Sequence, residues 1–125
     1  MGSKGDKDGR FKLITLMYTS ANNEIMVIDN RIQVFSSEGK FLYRVSRDPP
    51  VKGQYGGITV DQHGNYLVTH QSKSTVQVFS SQRHWMFDID SYMDKMKRPS
   101  GLVTYNGHVY VVDLGNDCIK KFRYI

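Results

Sequence analysis

The sequence predicts an all-β chain, a β-propeller fragment of about three four-stranded blades whose last blade lacks its outer strand. Three observations carry that reading. Ile32-Gln33-Val34-Phe35-Ser36-Ser37 returns 44 positions on as Val76-Gln77-Val78-Phe79-Ser80-Ser81. Gly9-Arg10-Phe11 with Gly53-Gln54-Tyr55, and Gly57-Ile58 with Gly101-Leu102, keep the same period, while Phe79 meets its third copy at Phe122 after 43. Within each period, short apolar or β-branched runs alternate with turn residues, and four strands in roughly 40–45 residues is the unit of a propeller blade.

Taken in order, Met1 to Asp8 is rich in Gly, Lys and Asp and is read as a disordered N-terminal segment (1–8). The partial propeller is expected over 9–125, with blades at about 9–52, 53–96 and 97–125. In the first copy, Ser20 to Glu24 turns between the first two strands. Only Asn30 and Arg31 then separate Asp29 from the third strand at Ile32, and Ser37-Glu38-Gly39-Lys40 turns into the fourth. In the second copy, Gly57 to Val60 leads to Asp61-Gln62-His63-Gly64-Asn65, where Gly64 can take positive φ. Tyr66 to His70, Thr75 to Ser80 and His84 to Ile89 complete that blade, with Gln71 to Ser74 as its polar loop.

Asp90 to Pro99 departs from strand grammar. Ser91 and Asp94 have capping-box spacing, Met93 and Met96 lie one turn apart, and Pro99 is a stop, so a single helical turn is expected with its Met pair sealing the blade junction. The alternative use of this segment is contact with an acidic partner through Lys95, Lys97 and Arg98. In the third copy, Tyr105-Asn106-Gly107-His108 carries the Asn-Gly signature of a tight hairpin. Val109-Tyr110-Val111-Val112 is a continuous apolar run, which suits a sheet covered on both faces, and Ile119 to Tyr124 is the last strand.

Composition sets the outer bounds. The chain has 125 residues, 39% apolar and 12% aromatic, which supports a packed core. Seventeen Lys and Arg against twelve Asp and Glu give a net charge of +5, which favours anionic partners. No apolar run approaches the roughly 18 residues of a membrane span and the start is polar, so no membrane contact is expected and the location is read as cytoplasmic. The single Cys118 excludes an intrachain disulfide and a cysteine-based zinc site, and is expected as a small buried hydrophobe. The length corresponds to about 2.8 repeats, below the four blades of the smallest usual propeller. An open arc with bare blade faces follows as an expectation, one that needs the missing half of the propeller or self-association to cover them.

Gly-(Gln/Arg)-(Phe/Tyr), then Gly57-Ile58-Thr59-Val60-Asp61 ending in Gly64-Asn65, then Val76-Gln77-Val78-Phe79, resembles the NHL repeat. The last copy, Val111 to Tyr124, resembles the closing repeat of TRIM-NHL proteins, in which an Asn-His-x-(Ile/Val) step leads into the third strand. Asp117 stands where His is commonest, and the second copy has Lys73-Ser74 instead. The resemblance covers about residues 9–125 and implies part of a six-bladed propeller. It also implies recognition of single-stranded RNA or of a substrate protein, as the recognition part of a TRIM-type E3 ubiquitin ligase. The ligase chemistry would belong to a RING domain, and no RING, B-box or coiled-coil segment is present in this sequence, so recognition without catalysis is implied.

In a blade, the loop after the second strand and the loop into the next blade open on one edge. Here that edge would carry Lys4, Lys7, Arg10, Lys12 and the candidate binding residues Arg31, Arg47, Lys52, Tyr55, Lys73, Lys95, Lys97 and Arg98, against Asp6, Asp8, Asp48, Asp94 and Asp117. Cations there would hold phosphates, and Tyr55 could stack on an unpaired base. The plainer alternatives are that these are the solvated loop residues of any soluble protein, and that Tyr55 packs between blades, since its copy-mate Phe11 has no hydroxyl. The opposite edge, with Glu38, Lys40, His63 and Asn106, is more nearly balanced.

Catalysis finds little support. Asp29, His70 and Asp113 occupy equivalent places at the ends of the second strands and are the candidates for a channel metal. Three ligands fall short of calcium and at best match zinc, and Asp at this position more simply accepts backbone N–H bonds from the loop that follows. His63, His84 and His108 share no spacing with a Ser or Cys nucleophile, and no Gly-rich phosphate loop precedes a helix. No cofactor, metal or catalytic residue is therefore expected. The alternatives to RNA or substrate recognition are a protein scaffold without nucleic-acid binding and a fragment of a metal-dependent propeller hydrolase or lyase.

Overall fold

Backbone pairing turns the repeat into successive antiparallel sheets. The computed structural model describes residues 2–5, 7–11, 16–19, 23–47, 52–90 and 95–125. Strands β3 (Leu16–Thr19), β4 (Ile25–Ile28), β5 (Ile32–Phe35) and β6 (Phe41–Val45) follow β1 (Ser3–Lys4) and β2 (Arg10–Phe11) and form a four-stranded meander. The second sheet is β7 (Tyr55–Val60), β8 (Tyr66–His70), β9 (Thr75–Phe79) and β10 (Trp85–Ile89). The third has three strands, β11 (Pro99–Tyr105), β12 (His108–Asp113) and β13 (Cys118–Arg123), with a 3-10 turn at Leu114–Asn116. The chain is thus an all-β propeller fragment, as the repeat predicts. Within the segment read as a disordered start, Ser3–Lys4 pairs in parallel with Arg10–Phe11.

The turns sit where turn chemistry put them. Gly39, Gly64 and Gly107 take φ of +85°, +83° and +76°, and Asn106 precedes Gly107 at +50°, the pair of left-handed residues that a two-residue hairpin needs. The turn expected at Ser20 to Glu24 lies largely outside the described residues. So do Ser91, Met93 and Asp94 of the expected helical turn; its described remainder, Lys95 to Arg98, is not helical, and Pro99 opens a strand.

Cross-strand register defines which residues are true copies. Val27 faces Gln33, Val68 faces Gln77, and Val111 faces Lys120. First strands carry a bulge at the same place, between Tyr55 and Gly57 and between Pro99 and Leu102.

The chain divides into two compact units, Met1–Arg47 and Asp48–Ile125. In the first, Val27 and Phe35 are buried with Ile25 and Phe41 against them, and the Phe35 and Phe41 rings meet edge-on at 5.8 Å. The buried Gln33 side chain accepts from Gly9 N at 2.8 Å and donates to Arg10 O at 2.9 Å, which fastens the lead-in Gly9-Arg10 to this sheet.

In the second unit, Leu67, Val76 and Val78 of one sheet pack against Leu102, Val109 and Val111 of the next, with Met96 buried among them. Each such side chain contributes about 1.5–3 kcal/mol when fully buried. Met96 therefore plugs the junction as expected of it. The backbones come unusually close. A Cβ on Gly56 would lie well inside the 3.0 Å that real Cβ atoms keep from the Pro99 carbonyl oxygen, and one on Gly57 would lie 2.7 Å from Ser100 O. Thr69 Oγ1 donates to Ser100 O at 2.7 Å and locks the approach.

Two further expectations are corrected. β12 is not covered on both faces: Val109 and Val111 are buried while Val112 is exposed, because among the described residues no strand or sheet covers the far side of the third sheet. Cys118 is exposed and not buried, since it opens β13 at the rim just after Asp117 and no fourth strand follows it there among the described residues.

Candidate functional site

The loop edge is organised by the last residue of each second strand or the position just after it. In the first unit, Asp29 Oδ1 accepts from Asn30 N at 2.9 Å and Arg31 N at 3.0 Å, and Oδ2 pairs with Arg31 Nη2 at 2.7 Å. In the second, His70 Nδ1 accepts from Lys73 N at 3.1 Å. Asp113 Oδ1 accepts from Lys97 N at 2.8 Å, and Oδ2 accepts from Asn116 Nδ2 at 2.7 Å and lies 3.6 Å from Lys120 Nζ. Asp29 holds the loop that follows it, as expected of an acceptor here, and His70 does the same through Lys73 N, whereas the backbone N–H that Asp113 accepts is Lys97's, in the loop before its sheet. Among the described residues no three His, Cys, Asp or Glu are grouped to hold a metal.

Asp113 is fully buried, and burial alone would raise its pKa. The hydrogen bonds from Asn116 and Lys97 N, together with the Lys120 ammonium, outweigh that and hold its carboxyl below the usual range.

In the second unit, the lead-in to each sheet lies along the loop after that sheet's second strand. Gln71 N donates to Gln54 O at 2.8 Å and Gln54 N to Ser72 Oγ at 3.2 Å, with Lys52 and Lys73 exposed on either side. In the third sheet, Gly115 N donates to Lys97 O at 3.2 Å, Leu114 N to Arg98 O at 3.4 Å, and Asn116 Nδ2 to Lys95 O at 3.0 Å. Gly115 is required there, because a Cβ would collide with Lys97. The backbone of Lys95 to Arg98 is thus fixed while all three basic side chains are exposed. A preordered set of cations loses less conformational entropy on meeting an anion than a mobile loop does. The close approach of Gly56 to Pro99 puts this trio's backbone beside Tyr55 and Gln71.

The other candidates are placed differently. Tyr55 is half-buried, its ring edge-on to His70 at 5.3 Å, and burial raises its phenol pKa. Arg31 is a brace within the first unit: Nη2 donates to Arg10 O at 2.8 Å and Gly5 O at 3.3 Å besides meeting Asp29. Arg47 is half-buried and partnered. Lys12, Asp6, Asp48 and Asp94 lie outside the described residues.

Sequence reading passed over Lys120 and the Asp61–Tyr124 pair, and took Asn116 only as part of the step into the third strand. The 43-residue step from Phe79 to Phe122 was the available signal for Lys120, since it places that residue at the buried glutamine position. On the opposite edge, a cleft of about 470 Å³ is lined by Asp61, His63, Thr104, Tyr105 and Tyr124 among others. Tyr124 Oη donates to Asp61 at 2.7 Å, and that carboxylate also accepts from His63 N and Asn65 N at 2.9 Å each. Burial opposes ionisation of Asp61, but these bonds prevail and lower its pKa, while burial and the Asp61 charge raise that of Tyr124. Tyr124→Phe removes one of several bonds and is expected to cost about 1 kcal/mol in urea unfolding.

No family model matches the chain. It is 26% identical over 129 residues to the E3 ubiquitin-protein ligase TRIM32 of Mus musculus, an alignment that covers 90% of this chain and 19% of that protein. The chain therefore spans about a fifth of the length of the curated relative it matches. Among solved structures, a protein of unknown function from Bacteroides caccae superposes with a TM-score of 0.65 at 12% identity, over 78% of this chain and 37% of that one. Streptogramin B lyase superposes with a TM-score of 0.61 at 13% identity, over 87% and 40% respectively. At these identities the likeness concerns the fold, and it agrees with a β-propeller fragment.

Proposed function

We propose that this chain is a non-catalytic recognition module of NHL type that binds single-stranded RNA through the basic loop edge of its second unit, working in the cytoplasm as the selecting part of a TRIM-type ubiquitin ligase. The observation that carries this is the exposed trio Lys95, Lys97 and Arg98 on a backbone held by Asp113, Gly115 and Asn116. Lys52 and Lys73 extend the charge along the neighbouring sheet's loops. The likeness to TRIM32, itself named a ubiquitin ligase, and the Asn116-Asp117-Cys118-Ile119 step support the NHL and TRIM part of the reading.

That same likeness favours a second reading, in which the edge takes an acidic segment of a substrate protein. A lyase role has less support: Streptogramin B lyase is an enzyme by name, but His70 and Asp113 are occupied in holding loops.

Anisotropy of a labelled 20-nucleotide mixed-sequence RNA tests the proposal. Lys52→Ala together with Arg98→Ala is expected to weaken binding about ten- to thirtyfold near 0.1 M salt, the effect of two lost phosphate contacts. An unchanged affinity would put the RNA surface elsewhere, and absence of binding by the wild-type chain would favour the protein partner.

A further inference from the structure

Asn106 and Gly107 form the two-residue turn between β11 and β12, at φ of +50° and +76°. Among the asparagines of the chain, Asn106 alone precedes a glycine. Two others have their side-chain amides held: Asn65 Nδ2 donates to Asp61 at 3.1 Å, and Asn116 Nδ2 to Asp113 at 2.7 Å and to Lys95 O at 3.0 Å. The Asn106 side chain is exposed and makes no hydrogen bond to a described residue.

This pairing is chemically reactive. With no side chain beside it, a glycine N–H is the least hindered nucleophile the backbone offers. Gly107 N makes no hydrogen bond to another described residue, so no acceptor holds its proton. Asp8-Gly9 sets a carboxyl before a glycine in the same way, but there Gly9 N is tied to Gln33 Oε1 at 2.8 Å. His108 Nδ1 lies 3.1 Å from Asn106 O, and with a proton on that nitrogen it donates to the carbonyl and polarises the amide whose N–H must ionise.

We infer that Asn106 is a site of spontaneous modification in the folded chain, converted to aspartate and isoaspartate with water as co-reactant. Gly107 N gives its proton to solvent base and attacks Asn106 Cγ. The N–Cγ bond forms, the Cγ–Nδ2 bond breaks, and Nδ2 takes up a proton and leaves as ammonia. Water then opens the five-membered imide. Attack at Cγ yields aspartate, whereas attack at the Asn106 backbone carbonyl carbon leaves the chain running through Cγ, which is isoaspartate with one extra backbone atom. Either product puts a new carboxylate in the cleft that Asn106 and Gly107 line together with Asp61. Isoaspartate also lengthens the turn at Gly107, whose carbonyl accepts from Tyr124 N at 2.9 Å and Ile125 N at 3.3 Å. The bond from Tyr124 to Asp61 stands next to both changes.

Incubation of the 125-residue chain near neutral pH at about 37 °C tests this, with circular dichroism as the check on folding. Peptide mass mapping and isoaspartate-specific methyl transfer from labelled S-adenosylmethionine are the readouts. A product about 1 Da heavier is expected in the peptide that carries Asn106, at least about tenfold faster than at Asn65 or Asn116. The rate in the folded chain should lie within about tenfold of that in the same chain unfolded by urea, because a reaction confined to the rare unfolded molecules would be slowed by the whole folding equilibrium. Asn106→Gln should abolish the product while the chain stays folded. A folded rate more than about tenfold below the unfolded one would show that the turn protects Asn106 and would overturn the inference. So would methyl transfer that persists in Asn106→Gln at the wild-type level.

Discussion

Asp113→Ala is expected to destabilise the second unit by about 3–5 kcal/mol, read as a lower urea midpoint at unchanged slope. The carboxylate is fully buried and accepts from Lys97 N and Asn116 Nδ2 while facing the Lys120 ammonium, which is itself 8% exposed. Removing it takes the facing carboxylate from a buried ammonium and an acceptor from Lys97 N and Asn116 Nδ2. Lys120→Gln is the informative companion. It restores the residue that stands at the same register position in the other two sheets, and replacing one member of a buried pair by a neutral amide leaves Asp113 its two hydrogen bonds. The loss there should be well under half that of Asp113→Ala. The pH dependence has a definite sign. Because the folded pKa lies below the unfolded value near 3.9, the contribution of Asp113 is complete above that value and disappears as pH falls through the folded pKa. Asp113→Asn should flatten that acid limb.

Gly56→Ala is expected to cost about 1–3 kcal/mol, with the largest part in the packing between the second and third sheets. The new methyl would strike the Pro99 carbonyl oxygen and the Gln71 side chain, and the first of these is backbone that cannot rotate away. Gly56 has no positive φ, so the penalty is steric and not conformational. Gly101→Ala serves as its control. At that position the methyl points into open space, and the reduced freedom of the unfolded chain should make the dilute protein neutral to about 0.4–1 kcal/mol more stable.

How far the sequence anticipates this structure depends on how local the determining chemistry is. Hairpins were legible because Gly39, Gly64 and Asn106-Gly107 decide turn geometry within a few residues. Loop capping by Asp29 was legible for the same reason, whereas the backbone bond of Asp113 goes to Lys97 N, sixteen residues earlier in the chain. Lys120 is less plain, because its burial follows from a one-residue slip in the third copy that only the 43-residue step from Phe79 to Phe122 signals, and cross-strand register shows it directly. The bare face of β12 was not legible. An apolar run states that a strand can be covered twice, not that it is, and Val112 differs from Val111 by what lies opposite it. Arg31 looked like a surface cation because the carbonyls of Gly5 and Arg10 that engage it lie more than twenty residues away in sequence. Lys95, Lys97 and Arg98 are exposed, and the groups that fix their backbone come from Asp113 to Asn116, across the sheet.

The salt dependence of RNA affinity tests the central claim most directly. Four or five phosphate contacts to a single strand predict that log K falls with log salt at a slope of about −3, roughly a fiftyfold or greater loss between 50 and 200 mM. In the Lys97→Ala, Arg98→Ala double variant, that slope should become shallower by about 1.4. A wild-type slope near zero, or a variant slope equal to that of the wild type, would contradict RNA recognition by this edge.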